Sequence, residues 1–502
     1  MKAGMTTAAE KAAGTLRAVA GYSLINLFGN AARIGLSFAT VVLASRWMGA
    51  NDFGEANLLL AYTGYLMYIL TLGFDNGIPY FMGRGNRGKP NSGGRLLATG
   101  AGLSLAVGSV IMLASVAVIP RVLEKAGMPG LFWPAFLLVV QCEFGAIGYL
   151  LDGYLRGSKR FVPVIIRDQI MFPFLNLAGL FVLVRIMGRG VLGFSLAYAL
   201  SVFVSMIYGT FVCIRVAVRE KGADPPGNWS SWLGFSFPLA LMSTMDPLLY
   251  SSGVIIAGLY LDTGEVAKYV VSVRVAIFCQ FFVMALGPVF SPYIADMHGS
   301  GKRDEMGNLY RTAINWSSKW ALLFGFFVVA AAEFVLSVFG AGYSDAVLCL
   351  LLVMPGAVIE GSLGSSRLSL VMTGKNRINV TFYSIAILVN VVAGVLLVPR
   401  LGLTGLALAF SLSYGIMNLL RIGWFFRSFG VKPLDRSQLA GLAVLLVLLA
   451  AVALGIRRLD LSPGGAALLA GLVFMLGLAA VFWEDRKLFL DRFLRAVSRN
   501  PA

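Results

Sequence analysis

Apolar runs of about 20 residues or more recur along almost the whole of this 502-residue chain, and they constrain its fold more than any other feature. They fall at 20–45, 55–81, 96–119, 131–155, 162–186 and 191–217, then at 234–260, 268–292, 312–339, 345–369, 376–398 and 403–427, with two more at 438–456 and 463–483. Lipid offers no partner to an unpaired backbone amide, so each run predicts a membrane-spanning helix. Composition agrees: 13% of residues are charged and 58% hydrophobic, where soluble domains carry about a quarter and about 45–50%. These values exclude a water-soluble enzyme, a nucleic-acid reader and a disordered scaffold. Strand-like alternation is nowhere sustained, which excludes a membrane β-barrel. The first run is too long, and too late in the chain, for a cleaved signal peptide. The expected fold class is an all-α integral membrane protein of about 14 transmembrane helices.

The net charge of +17 belongs to the loops rather than to a nucleic-acid surface. With the N-terminus inside, the inner segments hold roughly three times as many Lys and Arg as the outer ones. Arg84–Lys89, Lys159-Arg160 and Lys375–Arg377 are inner loops on this reading. Fourteen crossings return the C-terminus to the same side, and no outer loop is long enough to fold alone. The chain divides into a cytoplasmic N-terminal segment (1–19), an N-lobe (20–217), a cytoplasmic linker (218–233), a C-lobe (234–427), two appended helices (438–483) and a basic tail (484–502). Leu490, Phe493, Leu494 and Val497 give that tail an apolar face among basic residues, as in a helix lying on the inner leaflet. Four cysteines inside apolar runs and one histidine, His298, leave no metal-ligand spacing, and no cofactor is expected.

The chain repeats itself. A shift of 213 residues lays Ala44–Glu55 on Ala257–Lys268, two helix–turn–helix segments with Asp52 and Glu265 at the same point. A shift of 217 lays Leu155–Arg160 on Met372–Arg377, and one of 214 pairs Asn176 with Asn390 and Gly188 with Gly402. Six helices separate the copies, an even number, so both enter the membrane with the same polarity. The repeat is parallel, about an axis along the membrane normal. Two six-helix lobes plus two C-terminal helices follow.

Several segments carry a family resemblance: Arg46-x-x-Gly49-x-x-x-Phe53-Gly54, Leu72-Gly-Phe, Gly153-Tyr-Leu-Arg156-Gly, Asp262-x-x-Glu265-Val-Ala-x-Tyr269-x-x-Ser-x-Arg274 and Pro399-Arg-Leu-Gly402-Leu-Thr-Gly405. The chain resembles the polysaccharide transporter, or O-antigen flippase-like, family of the multidrug/oligosaccharidyl-lipid/polysaccharide superfamily. The resemblance implies a MATE-like transporter architecture in a bacterial cytoplasmic (inner) membrane. It implies a flippase for a polyprenyl-diphosphate-linked oligosaccharide, an O-antigen or exopolysaccharide unit, working by alternating access beside polymerase or export partners. Such a cargo leaves its acyl tail in lipid but needs a hydrated cleft, a cation for the diphosphate and aromatic or hydrogen-bonding surfaces for sugars.

Charges within the runs are costly and therefore mark sites. Arg33 is mid-way along the first run, Asp246 mid-way along the seventh and opposite Arg33 in the repeat, and Arg274 about two turns into the eighth. One reading lines a cleft with Arg33 and Arg274 as diphosphate contacts and Asp246 as charge balance. The other makes Arg33–Asp246 a structural ion pair and lets Arg274 snorkel. Glu143 and Glu360, related by the 217 shift, are candidates for proton or ion coupling, or for helix–helix hydrogen bonds. Asp152 and Arg156, one turn apart, are expected to pair. Tyr62 and Tyr65, with Tyr68 and Tyr80, offer sugar-stacking faces or ordinary packing. No Walker motif or nucleophile elbow is present, so hydrolytic or ATP-driven chemistry has no support. A drug or cation antiporter of the MATE type, a lipid II flippase and an export-complex subunit remain as alternatives.

Overall fold

The computed structural model describes residues 2–83, 93–218, 228–430, 432–459 and 461–488. Arg84–Lys89, most of the 218–233 linker and the 490–497 tail face lie outside the described residues. Within them the chain is helical throughout, with no strand. Thirteen stretches are long and apolar enough to cross a membrane, and the first, Phe28–Gly83, is 56 residues long and holds two crossings. About fourteen spans result, in a multi-pass membrane protein. Their boundaries follow the apolar runs because desolvating the backbone is tolerable only where it is hydrogen-bonded within a helix.

In chain order the first spans are α1 (Lys2–Thr63), α2 (Leu66–Leu70) and α3 (Phe74–Gly83), followed by α4 (Gly94–Lys125) and α5 (Phe132–Gly157). Next come α6 (Phe161–Ile165), α7 (Phe172–Leu180), α8 (Gly190–Ala217), α9 (Trp229–Tyr260), α10 (Thr263–Ala276) and α11 (Phe281–Gly299). Then follow α12 (Arg303–Ala330), α13 (Ala332–Ser337), α14 (Val347–Leu363), α15 (Ser365–Met372), α16 (Asn376–Leu401), α17 (Leu403–Phe429), α18 (Arg436–Arg458) and α19 (Pro463–Leu488). The N-terminal segment read as a separate 1–19 stretch is helical from Lys2 onward and continuous with the first span.

Four spans are less regular than their hydropathy implies. Gly49, with φ 79° and ψ 172°, breaks α1 where the first run ends. The second span is cut at Gly64–Tyr65 and again at Thr71–Gly73, where Leu72 (φ 51°) and Gly73 (φ 77°) are both left-handed. A left-handed leucine costs about 1–2 kcal/mol, so its surroundings must over-determine it. They do: the Thr71 hydroxyl accepts from the Gly73 amide at 3.1 Å and donates to the Tyr68 carbonyl at 2.8 Å. The fifth span holds two π-helical segments, Ile166–Met171 and Phe181–Ile186, and the eighth breaks at a 3-10 turn over Ile277–Gln280.

Contacts divide the chain into two compact units, one of Met1–Val270 with Asn390–Leu406 and one of Val271–Val389 with Ala407–Ala502. In the first, α5 packs on α3, α4 and α8 around Phe74, Leu96, Leu150, Tyr154, Cys213 and Trp232. Only one stripe of α4 is buried (Leu96, Gly100, Ser104, Gly108), and Val110, Leu113, Val116 and Val118 are left exposed for lipid. In the second, α12 packs on α14, α18 and α19 around Leu323, Phe326, Ala453, Ile456 and Ala470. Asp435 caps α18, accepting from the Gln438 amide at 3.0 Å and the Ser437 hydroxyl at 2.8 Å. Those bonds hold its carboxyl below the usual range.

The Leu72–Gly73 break faces α9 closely enough that a Cβ on Gly73 would overlap the Ser236 carbonyl and stand 2.8 Å from the Ala240 amide nitrogen. Gly73→Ala should therefore lower membrane abundance and melting temperature, losing the left-handed turn and the approach of α9 together. Gly234→Ala, with open space around it, should change neither. Equal abundance of the two variants, read by immunoblot and thermal shift, would remove the break from the list of fold determinants.

Candidate functional site

The densest polar cluster within the membrane lies in the first unit. Asn26, Asn30 and Arg33 share one face of α1 by helical periodicity. Gln169, in the first π segment of the fifth span, donates to Oδ1 of Asn26 at 2.8 Å, and Gly29 leaves room for it, since a Cβ there would overlap the Gln169 amide. Arg33 donates from Nη2 to Oδ1 of Asn30 at 3.2 Å, one turn back in its own helix, rather than to Asp246. Its Nε is buried and has no hydrogen-bond partner among the described residues. Arg167 and Gln169, two residues apart in this π segment, are both buried, a spacing that the wider π turn accommodates.

Asp152 pairs with this segment rather than with Arg156. Arg167 donates from Nε to Oδ1 of Asp152 at 2.8 Å and from Nη2 to Oδ2, a bidentate pair that is almost wholly buried. Helical spacing favoured Arg156, but the bidentate fork of a neighbouring helix outcompetes an i,i+4 contact. Arg156 keeps electrostatic contact with both Asp75 and Asp152. The Arg167 guanidinium also lies 5.8 Å from the centre of the Tyr149 ring. Tyr149 stacks on Tyr68, with centroids 5.5 Å apart and planes at 25°. Tyr68 is within electrostatic reach of Asp168, Asp246 and Arg33, so these charges surround one aromatic pair.

Asp246 lies mid-way along α9 and is exposed. A carboxylate at this depth is costly unless water or a partner meets it. Tyr62 is half-buried near the end of α1, and Tyr65 sits at the Gly64–Tyr65 interruption of the second span. Tyr80 is committed to packing, stacked on Phe235 at 4.2 Å. Arg274 belongs to the second unit, half-buried between Val273 and Val275 on α10.

Glu143 and Glu360, related by the repeat, have different surroundings. Glu143 is half-buried and accepts from the Ser104 hydroxyl at 3.1 Å, while its Oε2 has no partner among the described residues. Glu360 is buried in an ion pair with Arg421 at 3.2 Å and accepts from Nδ2 of Asn418 at 2.7 Å. Arg421 is completely buried, its guanidinium 4.8 Å from the centre of the Tyr383 ring. Among the described residues each unit thus contains a buried arginine–carboxylate pair, from the fourth and fifth spans in the first and the tenth and twelfth in the second. Among the described residues no group of His, Cys, Asp or Glu could hold a metal ion.

Sequence reasoning passed over Arg167, Asp168, Gln169 and Arg421. All lie within about ten residues of the end of an apolar run, where charges are ordinarily interfacial. The available signal was the adjacent Arg167-Asp168 pair inside a hydrophobic run, one span after Asp152. Removing one member of a buried pair strands the other, at about 3–5 kcal/mol. Arg167→Met should therefore deplete the protein from the membrane, and Arg167→Met/Asp152→Leu should recover most of that abundance. A double variant no better than the single would show that Asp152 was not the stranded charge.

Comparison with known proteins bears on the fold and the family. Among solved structures the fold is similar to "Lipid II flippase MurJ, inward closed conformation", at TM-score 0.71 and 12% identity, covering 92% of this chain and 99% of that one. It is also similar to an inward-facing multidrug resistance MATE family transporter of the MOP superfamily, at TM-score 0.68 and 14% identity, over 81% and 98% of the two chains. A MOP superfamily transporter from Pyrococcus furiosus, described as having a binding pocket of reverse polarity, matches at TM-score 0.64 and 15% identity, over 83% and 96%. At such identities the likeness is one of fold. No curated protein sequence matches the chain. The profile of the family described as "Polysaccharide biosynthesis protein" matches residues 21–298, more than half of the chain. The fold and this match together make the chain a member of the polysaccharide biosynthesis protein family.

Proposed function

We propose that this protein is a flippase that moves a polyprenyl-diphosphate-linked oligosaccharide, an O-antigen or exopolysaccharide unit, from the inner to the outer leaflet of a bacterial cytoplasmic membrane. It is a transporter and not an enzyme, works by alternating access between its two repeats, and keeps both termini in the cytoplasm, in keeping with the Lys/Arg bias of its loops. The observation that carries the reading is Arg33. It is a mid-span guanidinium whose Nε has no partner among the described residues, near an exposed Asp246. A cation held beside water in mid-membrane is what a diphosphate needs to leave the interface.

The family match supports a role in polysaccharide biosynthesis. On this reading Arg33 contacts the diphosphate, Asp246 balances its charge when the cargo is absent, Tyr62 and Tyr65 offer faces to the sugars, and Arg274 is a second candidate cation for the diphosphate. Lipid II shares this head-group chemistry, and the flippase named for it shares the fold. The polymerase or export machinery would receive the product at the outer leaflet. Glu143, with a carboxylate oxygen unpartnered among the described residues, is the better placed of the two coupling candidates. Glu360 is committed to Arg421.

Deleting the gene should abolish surface glycan and leave lipid-linked units on the inner leaflet. In that strain Arg33→Ala should accumulate normally, because Arg33 bonds to Asn30 and its loss strands no buried carboxylate, yet restore no glycan. Arg33→Lys should restore part of it, since an ammonium still attracts phosphate but loses the bidentate fork. An abundant, fully active Arg33→Ala/Asp246→Ala protein would sink the diphosphate assignment. Unchanged glycan with an altered drug-resistance profile would favour an antiporter.

A further inference from the structure

The two turns aligned by the 213-residue shift, one after the first span and one after the seventh, meet each other within the first unit. A Cβ on Gly54 would overlap the Thr263 carbonyl and lie 3.3 Å from the amide nitrogen of Ala267. A Cβ on Gly264 would lie 2.9 Å from Oδ1 of Asn51. Positions 54 and 267 are counterparts under the shift, and so are 51 and 264. Two residues, one helical turn apart, thus each touch their own equivalent in the other copy. In a parallel repeat this happens only on the axis that relates the copies.

The crossing is tight and apolar. Phe53, Leu58, Val266, Ala267, Tyr269 and Val270 around it are fully buried. Each helix that enters it follows a non-helical residue: Gly49 (φ 79°, ψ 172°) before the second half of α1, and Leu261 (φ −123°, ψ 157°) before α10. A cavity of about 420 Å³ flanks it, lined by polar groups that include Asn51, Glu55, Asp262 and Thr263. Small residues let two backbones approach without interlocking side chains, so such a contact can part and re-form. The backbone breaks are where swinging helices would absorb the change.

We propose that the Asn51–Gly54/Gly264–Ala267 crossing is an outer latch on the repeat axis, closed in this structure. It parts about Gly49 and Leu261 to release the cargo head group to the outer leaflet, and water from the flanking cavity wets Asn51 and Thr263 as it opens. The proposal rests on the alternating-access reading above. It predicts that the latch is read by an accessibility probe whatever the cargo is.

The probe is Asn57→Cys in a chain without its four native cysteines, labelled from outside with an impermeant maleimide. Asn57 is buried, one turn below Gly54, and its amide bonds only within α1, to the Phe53 carbonyl at 2.8 Å. Labelling should be slow, should rise about tenfold when Gly54→Leu wedges the crossing, and should stop when Asn51→Cys/Gly264→Cys is oxidised to a disulfide. The paired variant should also restore no glycan in the deletion strain, while each single cysteine restores it. Should Gly54→Leu fail to accumulate, the crosslink carries the test alone. Labelling that ignores the crosslink, or full glycan restoration by a crosslinked protein, would overturn the latch. Crosslink-sensitive labelling in a protein whose deletion leaves glycan unchanged would keep the latch and remove the cargo.

Discussion

Polar groups that this chain carries into the hydrocarbon layer must be satisfied by the chain itself or by water it admits, because lipid satisfies none. The buried pairs Asp152–Arg167 and Glu360–Arg421 are the first solution. Each links helices that apolar packing alone would hold in several registers, because lipid tails compete equally well for a leucine surface. Arg167 meets Asp152 bidentately and Tyr149 face-on, which sets the rotation of the fifth span as well as its height.

This distinction separates scaffold from site. A fully buried charge with a partner at hydrogen-bond distance is committed, and moving it costs several kcal/mol. Arg421 and Arg167 are of that kind. Arg33 bonds to Asn30, and its Nε is unpartnered among the described residues, so it is not locked into a buried ion pair of that kind. The π segment at Ile166–Met171 and the Thr71–Gly73 break border the same cluster. Both depart from regular helix where a uniform run of apolar residues would have given none, and irregular backbone at this depth is tolerated where protein or a wet cavity covers it.

The family match covers residues 21–298, which include the Arg33 cluster and the first eight spans. The fold likeness to a lipid II flippase and to MATE transporters extends over more of the chain at identities of 12–14%. A shared architecture with little shared sequence is what lipid selects: hydropathy and small-residue packing are kept, while cargo residues are free to change. The charges within the spans thus carry more information about function than the fold does.

Hydropathy alone determined the all-helical class, the number of spans and most of their limits, because a run of about 20 apolar residues has one outcome in lipid. The repeat was also legible, since the acids at 52 and 265 recur at the 213-residue offset and Gly157 and Gly374 at 217. Mid-span charges such as Arg33 and Asp246 stood out in the sequence because the cost of a charge in lipid does not depend on its neighbours in the chain. Their partners were not. Helical spacing paired Asp152 with Arg156 and left Arg167 and Arg421 among interfacial charges; the repeat set Arg33 opposite Asp246. Tertiary packing gave Asp152 to Arg167, Glu360 to Arg421 and Arg33 to Asn30. It also broke the second span at Leu72–Gly73, where hydropathy is unbroken. Hydropathy is a sum over one segment and survives without neighbours, whereas an ion pair, a π turn or a left-handed leucine depends on which helix packs alongside, and only the folded chain decides that.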